Sequence, residues 1–495
     1  MEVAKKIFFG SNNEYFKLEV LALPGMFHAT IMFLFHCTSS NHGYSIIIEL
    51  MVKDVISLMW RRKQKLDIDV PFLNFVAIDI ILQLSEDVLF SNLKPKEAKK
   101  EVKSDECPTL LDHCPSILET MIKDCWKFNP KDRPTFLEIC KLLRCTKYLF
   151  MTSCSSLIIL PNGLNNVTSL TTFDLSQCSS LTLLPNELDN FTYLINLETS
   201  GWSSFILSLH KLGNLTSLTT LDMKRCSSLT SLPNELGNII SLITLNIEGC
   251  SSLTSLSNKL TNLTSLIILN ISECSNLISL PKELGNLTSL TILDMSGCSN
   301  LTSLPNELGN LTSLTTLDMN RCSYLISLPS ELGNLVSLTI LNISECSSLT
   351  SLQNELCNLT SLITFDMNRC SSLTSLSNKL SNFISLTTLN ISECSSLISF
   401  LNALSNFTSL TTLDISGCSF LISLPNELDN LTSLITLNIE RCSSLTSLPN
   451  ELCNLTSFTI LNISQYLSLP SLPHELGNIT SLTSLNMLKL EILAK

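Results

Sequence analysis

Histidine is almost missing from this chain: there are six among 495 residues, and only His210 and His474 fall after residue 146. No Cys-x-x-Cys pair occurs, so neighbouring residues cannot assemble a zinc site or a histidine-activated nucleophile. A glycine loop able to cradle phosphate and a paired-carboxylate site are lacking too, so no catalytic residue, metal or cofactor is expected. Basic residues are in deficit: 31 Lys+Arg stand against 43 Asp+Glu, for a net charge of -12. Residues 1–145 balance at 19 and 19, whereas residues 146–495 hold 12 and 24 and carry the whole deficit. An acidic surface excludes nucleic acid, whose phosphates need basic partners, and favours neutral or basic proteins. Long apolar runs are also scarce. Val20 to Cys37 (VLALPGMFHATIMFLFHC) lacks Asp, Glu, Lys and Arg, but Pro24, Gly25, His28 and His36 interrupt it. It is barely long enough to cross a bilayer, so burial in protein is expected rather than a membrane span. The opening residues, MEVAKKIFFGSNNEYFK, hold no apolar core followed by a small-residue cleavage site, and a cytoplasmic location is expected.

What is present is one phrase, repeated. Leu290 to Ser313 reads LTILDMSGCSNLTSLPNELGNLTS, and Leu314 begins LTTLDMNRCSYLISLPSELGNLVS. The period is 24 residues and runs without insertion or deletion from Thr146 to Ser481, in fourteen full copies, with a partial fifteenth to Lys495. Within each copy Leu293 and Met295 alternate with Asp294, the two-residue period of a strand with one buried face. Leu301, Leu304, Leu308 and Leu311 then return the chain along the outer side. One copy is too small to bury its own apolar face, so neighbours must stack. The skeleton LxxLxLxxCxxLxxLPxxLxNLxx resembles the leucine-rich repeat family, in the form seen in plant disease-resistance proteins. That resemblance implies an α/β solenoid, a horseshoe with a concave parallel β-sheet that binds protein partners.

The repeat columns carry the remaining signals. Cys occupies one column at Cys154, Cys178 and from Cys226 to Cys442, with Trp202 and Tyr466 filling the two gaps. A column that takes Cys or an aromatic reads as buried packing, with reduced thiols, since stacked parallel side chains do not favour disulfide geometry. An Asn kept in all fourteen copies, from Asn166 through Asn310 to Asn478, begins an Asn-x-Thr sequon in eleven of them. It is expected to point inward and satisfy backbone groups rather than to carry glycans. A third column, Asp174, Glu198, Asp222, Asn246, Asn270, Asp294, Asp318, Asn342, Asp366, Asn390, Asp414 and Asn438 onward, is expected on the exposed face. Just before each Cys, Arg321, Glu345, Arg369 and Glu393 alternate in sign on four successive rungs and should form a lateral ladder. Asp294, Asp318, Arg321, Glu345, Asp366, Arg369, Glu393 and Asp414 are the candidate partner-binding residues.

Ahead of the repeats, residues 1–106 read as a poorly defined region ending in the charged linker KPKEAKKEVKSDE. Residues 107–145 include CPSILETMIKDCWKFNPKDRPTFLEICKLL. Its Cys125, Trp126, Pro130, Arg133, Pro134 and Phe136 are similar to the last two helices of a tyrosine-kinase-like protein kinase domain. The resemblance implies a small, mostly helical region. The other elements of such a kinase, a GxGxxG loop, a VAIK lysine, HRD and DFG, do not occur; Val76-Ala77-Ile78-Asp79 puts Asp where the lysine belongs. The segment is expected to be a non-catalytic remnant that caps the first repeat; the alternative is a truncated leucine-rich-repeat kinase. Residues 146–495 are the repeat domain. Past the last strand, LTSLNMLKL, an open edge around Leu485 and Met487 suggests self-association.

Overall fold

The computed structural model describes residues 32–40, 43–51 and 147–487, apart from short stretches between strands. Two compact units divide the chain, Met1–Ser228 and Leu229–Lys495.

In the first unit, strands Met32–Ser40 and Gly43–Met51 form an antiparallel hairpin. Its second strand lies parallel to Tyr148–Thr152, with Ile46 opposite Leu149. Three repeat strands follow in parallel register: Thr172–Asp174, Asn196–Glu198 and Thr220–Asp222. The piece laid on the first repeat strand is therefore this hairpin. The kinase-like segment expected in that place, residues 107–145, lies outside the described residues, as do residues 20–31 of the apolar stretch; its residues 32–37 are strand. Among the described residues no helix is long and apolar enough to cross a membrane.

The second unit repeats one strand every 24 residues, from Thr244–Asn246 to Ser484–Asn486. Leu317 faces Leu293 on one side and Leu341 on the other, so residues at equal repeat positions stand side by side. Each strand has three residues, and in all but the last its middle Leu or Phe is buried while its neighbours are half-buried or exposed. The alternation read from Leu293, Asp294 and Met295 is thus the one observed, with Leu293 and Met295 both at 0% exposure.

The return segment is a short 3-10 turn. Asn306–Asn310 starts from Pro305, whose extended backbone and missing N–H suit an entry position. Leu308 N–H donates to the Pro305 carbonyl at 3.2 Å and Leu311 N–H to Leu308 at 3.1 Å. Five residues with bonds three apart are too few for an α-helix but enough to drive Leu308 and Leu311 into the core. Gly309 is required by a close approach: a Cβ there would lie 2.2–2.8 Å from neighbouring-rung atoms, the Glu331 carbonyl oxygen first at 2.2 Å. Asn310 departs from expectation. It is exposed, as is every described Asn of its column, because Leu308 and Leu311 take the inward places on either side. Its carbonyl accepts the Thr312 N–H at 2.8 Å, so the backbone is satisfied without the side chain.

The cysteine column is buried from Cys178 to Cys442. These thiols do more than fill space. Cys298 donates to the carbonyl of Ile271 at 3.2 Å and Cys322 to Met295 at 3.3 Å, joining each rung to the one before. Trp202, fully buried, makes the same bond with its indole N–H, to Leu175 at 2.8 Å. The column therefore selects a donor as well as a shape, which explains why an indole can replace a thiol. Burial pushes the Cys298 and Cys346 thiols up to about 12. Iodoacetamide at neutral pH is expected to leave Cys298, Cys322 and Cys346 unmodified in the folded protein and to label them only after denaturation. Peptide mass spectrometry reads the outcome, and labelling of Cys322 as fast as that of the half-buried Cys453 would contradict it.

Candidate functional site

Two columns on one face of the second unit's sheet contain all the candidate residues, and the Asp column, expected to be exposed, is half-buried because its side chains fold back onto the backbone. Asp294, Asp318, Asp366 and Asp414 are the third residues of their strands, each followed by two residues and then by the column of Arg321, Glu345, Arg369 and Glu393 or its equivalents. The acidic column is built into the backbone. Asp318 Oδ1 accepts the Asn320 N–H at 2.9 Å, and Asp294, Asp366 and Asp414 do the same for the residue two positions on, each at 2.9 Å. Asn serves equally: Asn342 accepts from Ser344 at 3.0 Å. A short acceptor at the strand end is what an Asx turn requires, so this column is a turn device first and a display second. The second carboxylate oxygen stays available to the next rung: Asn342 Nδ2 donates to Asp318 Oδ2 at 3.1 Å and Asn438 to Asp414 at 3.0 Å.

The turn so closed has an unusual middle. Cys322 N–H donates to the Met319 carbonyl at 3.1 Å, and Arg321 between them has φ 60°. Every described occupant of the column shares this left-handed backbone, from Gln177 at 62° through Glu345 at 58° and Arg369 at 59° to Gln465 at 60°. Ordinary residues take up such a conformation at a cost, and glycine does so freely. Gly249, Gly297 and Gly417 in the same column, at 69°, 71° and 70°, are the sequence signal of it.

From these fixed roots the side chains form the expected ladder. Arg321 Nε lies 3.2 Å from Glu345 Oε2, Arg369 Nη1 lies 3.6 Å from Glu345 Oε1, and Arg369 Nε lies 2.8 Å from Glu393 Oε2. Arg369 adds a second bond to Glu393 through Nη2 at 3.4 Å. The hydrogen bond and charge of Arg369 hold the Glu393 carboxyl below the usual range. All four side chains are between 32% and 64% exposed, so solvent screens each pair and its contribution to stability is small. Asn320 and Asn368, next to Arg321 and Arg369, keep shielded amide oxygens with no protein partner among the described residues.

In the first unit the same strand position stacks three carboxylates: Asp174 registers with Glu198 and Glu198 with Asp222. Burial raises Glu198, and the charges of Asp174 and Asp222 push it further the same way. Asp174 is raised chiefly by burial, against the opposing bonds from Ser176. Carboxyls raised in the folded state hold protons more tightly there than in the unfolded chain. Stability from these two groups is therefore present at low pH and lost as pH climbs through their raised folded values, starting from the unperturbed 3.8 and 4.5. Glu198→Gln is expected to raise the thermal midpoint at pH 7 and to leave it almost unchanged at pH 4. Equal midpoints at both values, for variant and parent alike, would show that the stacked charges do not repel.

Residues 206–324 match the family described as a leucine-rich repeat region, and residues 76–143 match that of protein tyrosine and serine/threonine kinases. Residues 206–324 are a leucine-rich repeat region. Among solved structures, the repeats are similar to one of the Toll–Spatzle complex of Drosophila, with a TM-score of 0.51 and 19% identity, over 69% of this chain and 50% of that one. An internalin of Listeria monocytogenes is similar at a TM-score of 0.47 and 19% identity, over 76% of this chain and 94% of that one. A protein described as a light-sensor protein kinase, from Ceratodon purpureus, is 25% identical across 31% of this chain. The chain spans 20% of the length of that relative. The kinase-type match begins well before Cys107, so it is longer than the Cys114–Leu143 stretch that holds the motif. The last strand, Ser484–Asn486, leaves Leu485 40% and Met487 37% exposed where their counterparts Leu461 and Ile463 are buried.

Proposed function

We propose that the leucine-rich repeats are a recognition scaffold that binds a neutral or basic protein on the exposed face of the second unit's sheet. One observation carries this reading: the buried positions hardly change between rungs while the face does. Leu293, Leu317, Leu341 and Leu389 keep the framework, and beside them the face offers Asp294, Asp318 and Asp366 with Ile340 and Ile363, which are 41% and 43% exposed. Carboxylates interspersed with apolar side chains suit a surface that bears lysine or arginine among aliphatic residues. The test replaces Asp294, Asp318, Asp366 and Asp414 together by Asn. That change keeps the oxygen that closes each turn and removes four charges. A protein captured from cells by the parent and released by the variant supports the reading; identical captured sets refute it.

The match at residues 76–143, together with the kinase relative, favours a second reading in which these repeats serve a kinase. Phosphoryl transfer needs a lysine on the phosphates, a catalytic aspartate and a metal-binding aspartate, and the VAIK, HRD and DFG sequences that supply them do not occur here. We therefore hold the polypeptide itself to be non-catalytic. Magnesium-dependent incorporation of labelled phosphate by the pure protein would establish the second reading instead.

A cytoplasmic location is the companion proposal. Exposed sequons at Asn286 and Asn310 make it testable, because a secreted chain would carry glycans there. An intact mass of the natural protein equal to that of the bare polypeptide supports it; a mass lowered by glycosidase refutes it.

A further inference from the structure

The left-handed column of the second unit has an order that the ladder alone does not explain. Over eight rungs it reads Glu273, Gly297, Arg321, Glu345, Arg369, Glu393, Gly417, Arg441. Reversed about the midpoint between Glu345 and Arg369, the list becomes its own opposite. Glu345 meets Arg369, Arg321 meets Glu393, Gly297 meets Gly417 and Glu273 meets Arg441.

We propose that this column is a docking surface for a second copy of the same chain, running antiparallel about a twofold axis between Glu345 and Arg369. In such an isologous contact every match is made twice, so each arginine of one copy stands over a glutamate of the other. Three arginines and three glutamates make the strip electrically neutral, within an array whose acidic residues outnumber its basic ones, 24 to 12. Two acidic copies could meet here without stacking like charges. A parallel copy would set arginine on arginine. A peptide of one charge sign would be attracted and repelled on alternate rungs. The complement of this strip is a strip like it.

The structure prepares the surface. All eight residues have φ between 56° and 71°, so the side chains leave equivalent backbone positions, one per rung. Arg321, Glu345, Arg369 and Glu393 are already ordered by pairing along the rail. Partly exposed, they can accept a second layer of partners across the interface, since a guanidinium has five donors and a carboxylate about four acceptor sites. The two glycine rungs come together under the same operation. At each of them a Cβ would press on the preceding glutamate, at 3.3 Å for Gly297 and 3.0 Å for Gly417, so a glutamate side chain lies alongside both. The Asp/Asn column three residues earlier mostly obeys the same symmetry: Asn342 matches Asp366 and Asp318 matches Asn390, although Asp294 meets Asp414.

Sedimentation of the full chain at 150 mM salt tests the proposal. There the Debye length is about 8 Å, so the long-range repulsion of two acidic proteins is damped while contacts at hydrogen-bond distance persist. The parent should form a dimer by about 100 µM, weakened on the order of tenfold or more at 1 M salt, where screening reaches about 3 Å. An all-glutamate rail (Arg321→Glu, Arg369→Glu, Arg441→Glu) and an all-arginine rail (Glu273→Arg, Glu345→Arg, Glu393→Arg) should each be monomeric, and mixing them should restore a dimer. If a single-sign rail fails to fold, the variant that exchanges all six charges decides the matter. It keeps its own ladder, so it should pair with itself and refuse the parent. A monomeric parent, single-sign variants that still dimerise, a mixture that stays monomeric, or free exchange between parent and swapped chains would each overturn the proposal.

Discussion

Trp202→Ala is expected to lower the stability of the first unit by about 3–5 kcal/mol, the largest effect of any single substitution considered. The indole is the largest fully buried side chain described, and its N–H is bonded to the Leu175 carbonyl at 2.8 Å. Alanine leaves a cavity and an acceptor without its donor. Trp202→Cys supplies the thiol that other rungs use, as Cys178 does toward Met151 at 2.9 Å, but not the volume. It should recover part of the loss. Urea melts followed by hydrogen exchange check both points. Protection should fall at Leu175 and Thr199 and stay unchanged around Leu317, because repeat arrays carry their stability in local terms. Equal losses at Leu317 would mean that the units unfold as one.

Leu317→Ala should cost about 2–5 kcal/mol, and Thr316→Ala, one residue away, should stay within about 0.5 kcal/mol. Leu317 is 1% exposed and lies between Leu293 and Leu341, whereas Thr316 is half-buried on the other face. The pair measures the strand register directly, since a slip of one residue would reverse the two costs. Chemical denaturation of both variants at matched slope gives the comparison.

How far the sequence reveals this arrangement depends on what each residue answers to. Leu293 and Met295 answer to burial, which has a period, and both are where their alternation puts them. Arg321, Glu345, Arg369 and Glu393 answer to charge at a spacing of one rung, and they pair as charge demands. Asn310 faces outward against expectation because constancy alone does not say which way a side chain points; it lies between two leucines that both turn inward. In the sequence, Asp294 and its column show only polarity. The bond from Ser296 N–H to Asp294 Oδ1 shows that these residues shape the backbone, and the glycines three positions later were the trace of that shape. The hairpin that lies on Tyr148–Thr152 carried no repeat period, so nothing in its own pattern tied it to the array.

The bonds between rungs have a reach that bears on how this protein comes into being. Thr315 Oγ1 donates to the Thr291 carbonyl 24 residues before it, and the Cys322 thiol reaches back 27 residues to Met295. Contacts of this kind close loops of one fixed and modest length, however many rungs there are. The entropic penalty of closure grows only with the logarithm of loop length, so a later rung is no harder to add than an earlier one. At roughly 5–20 residues per second, a ribosome releases a new rung every one to five seconds or so, far slower than a loop of this size closes. Each rung can therefore settle on the one already made before the next emerges, and a growing chain of this design need never expose more than about one unpaired strand edge to its neighbours.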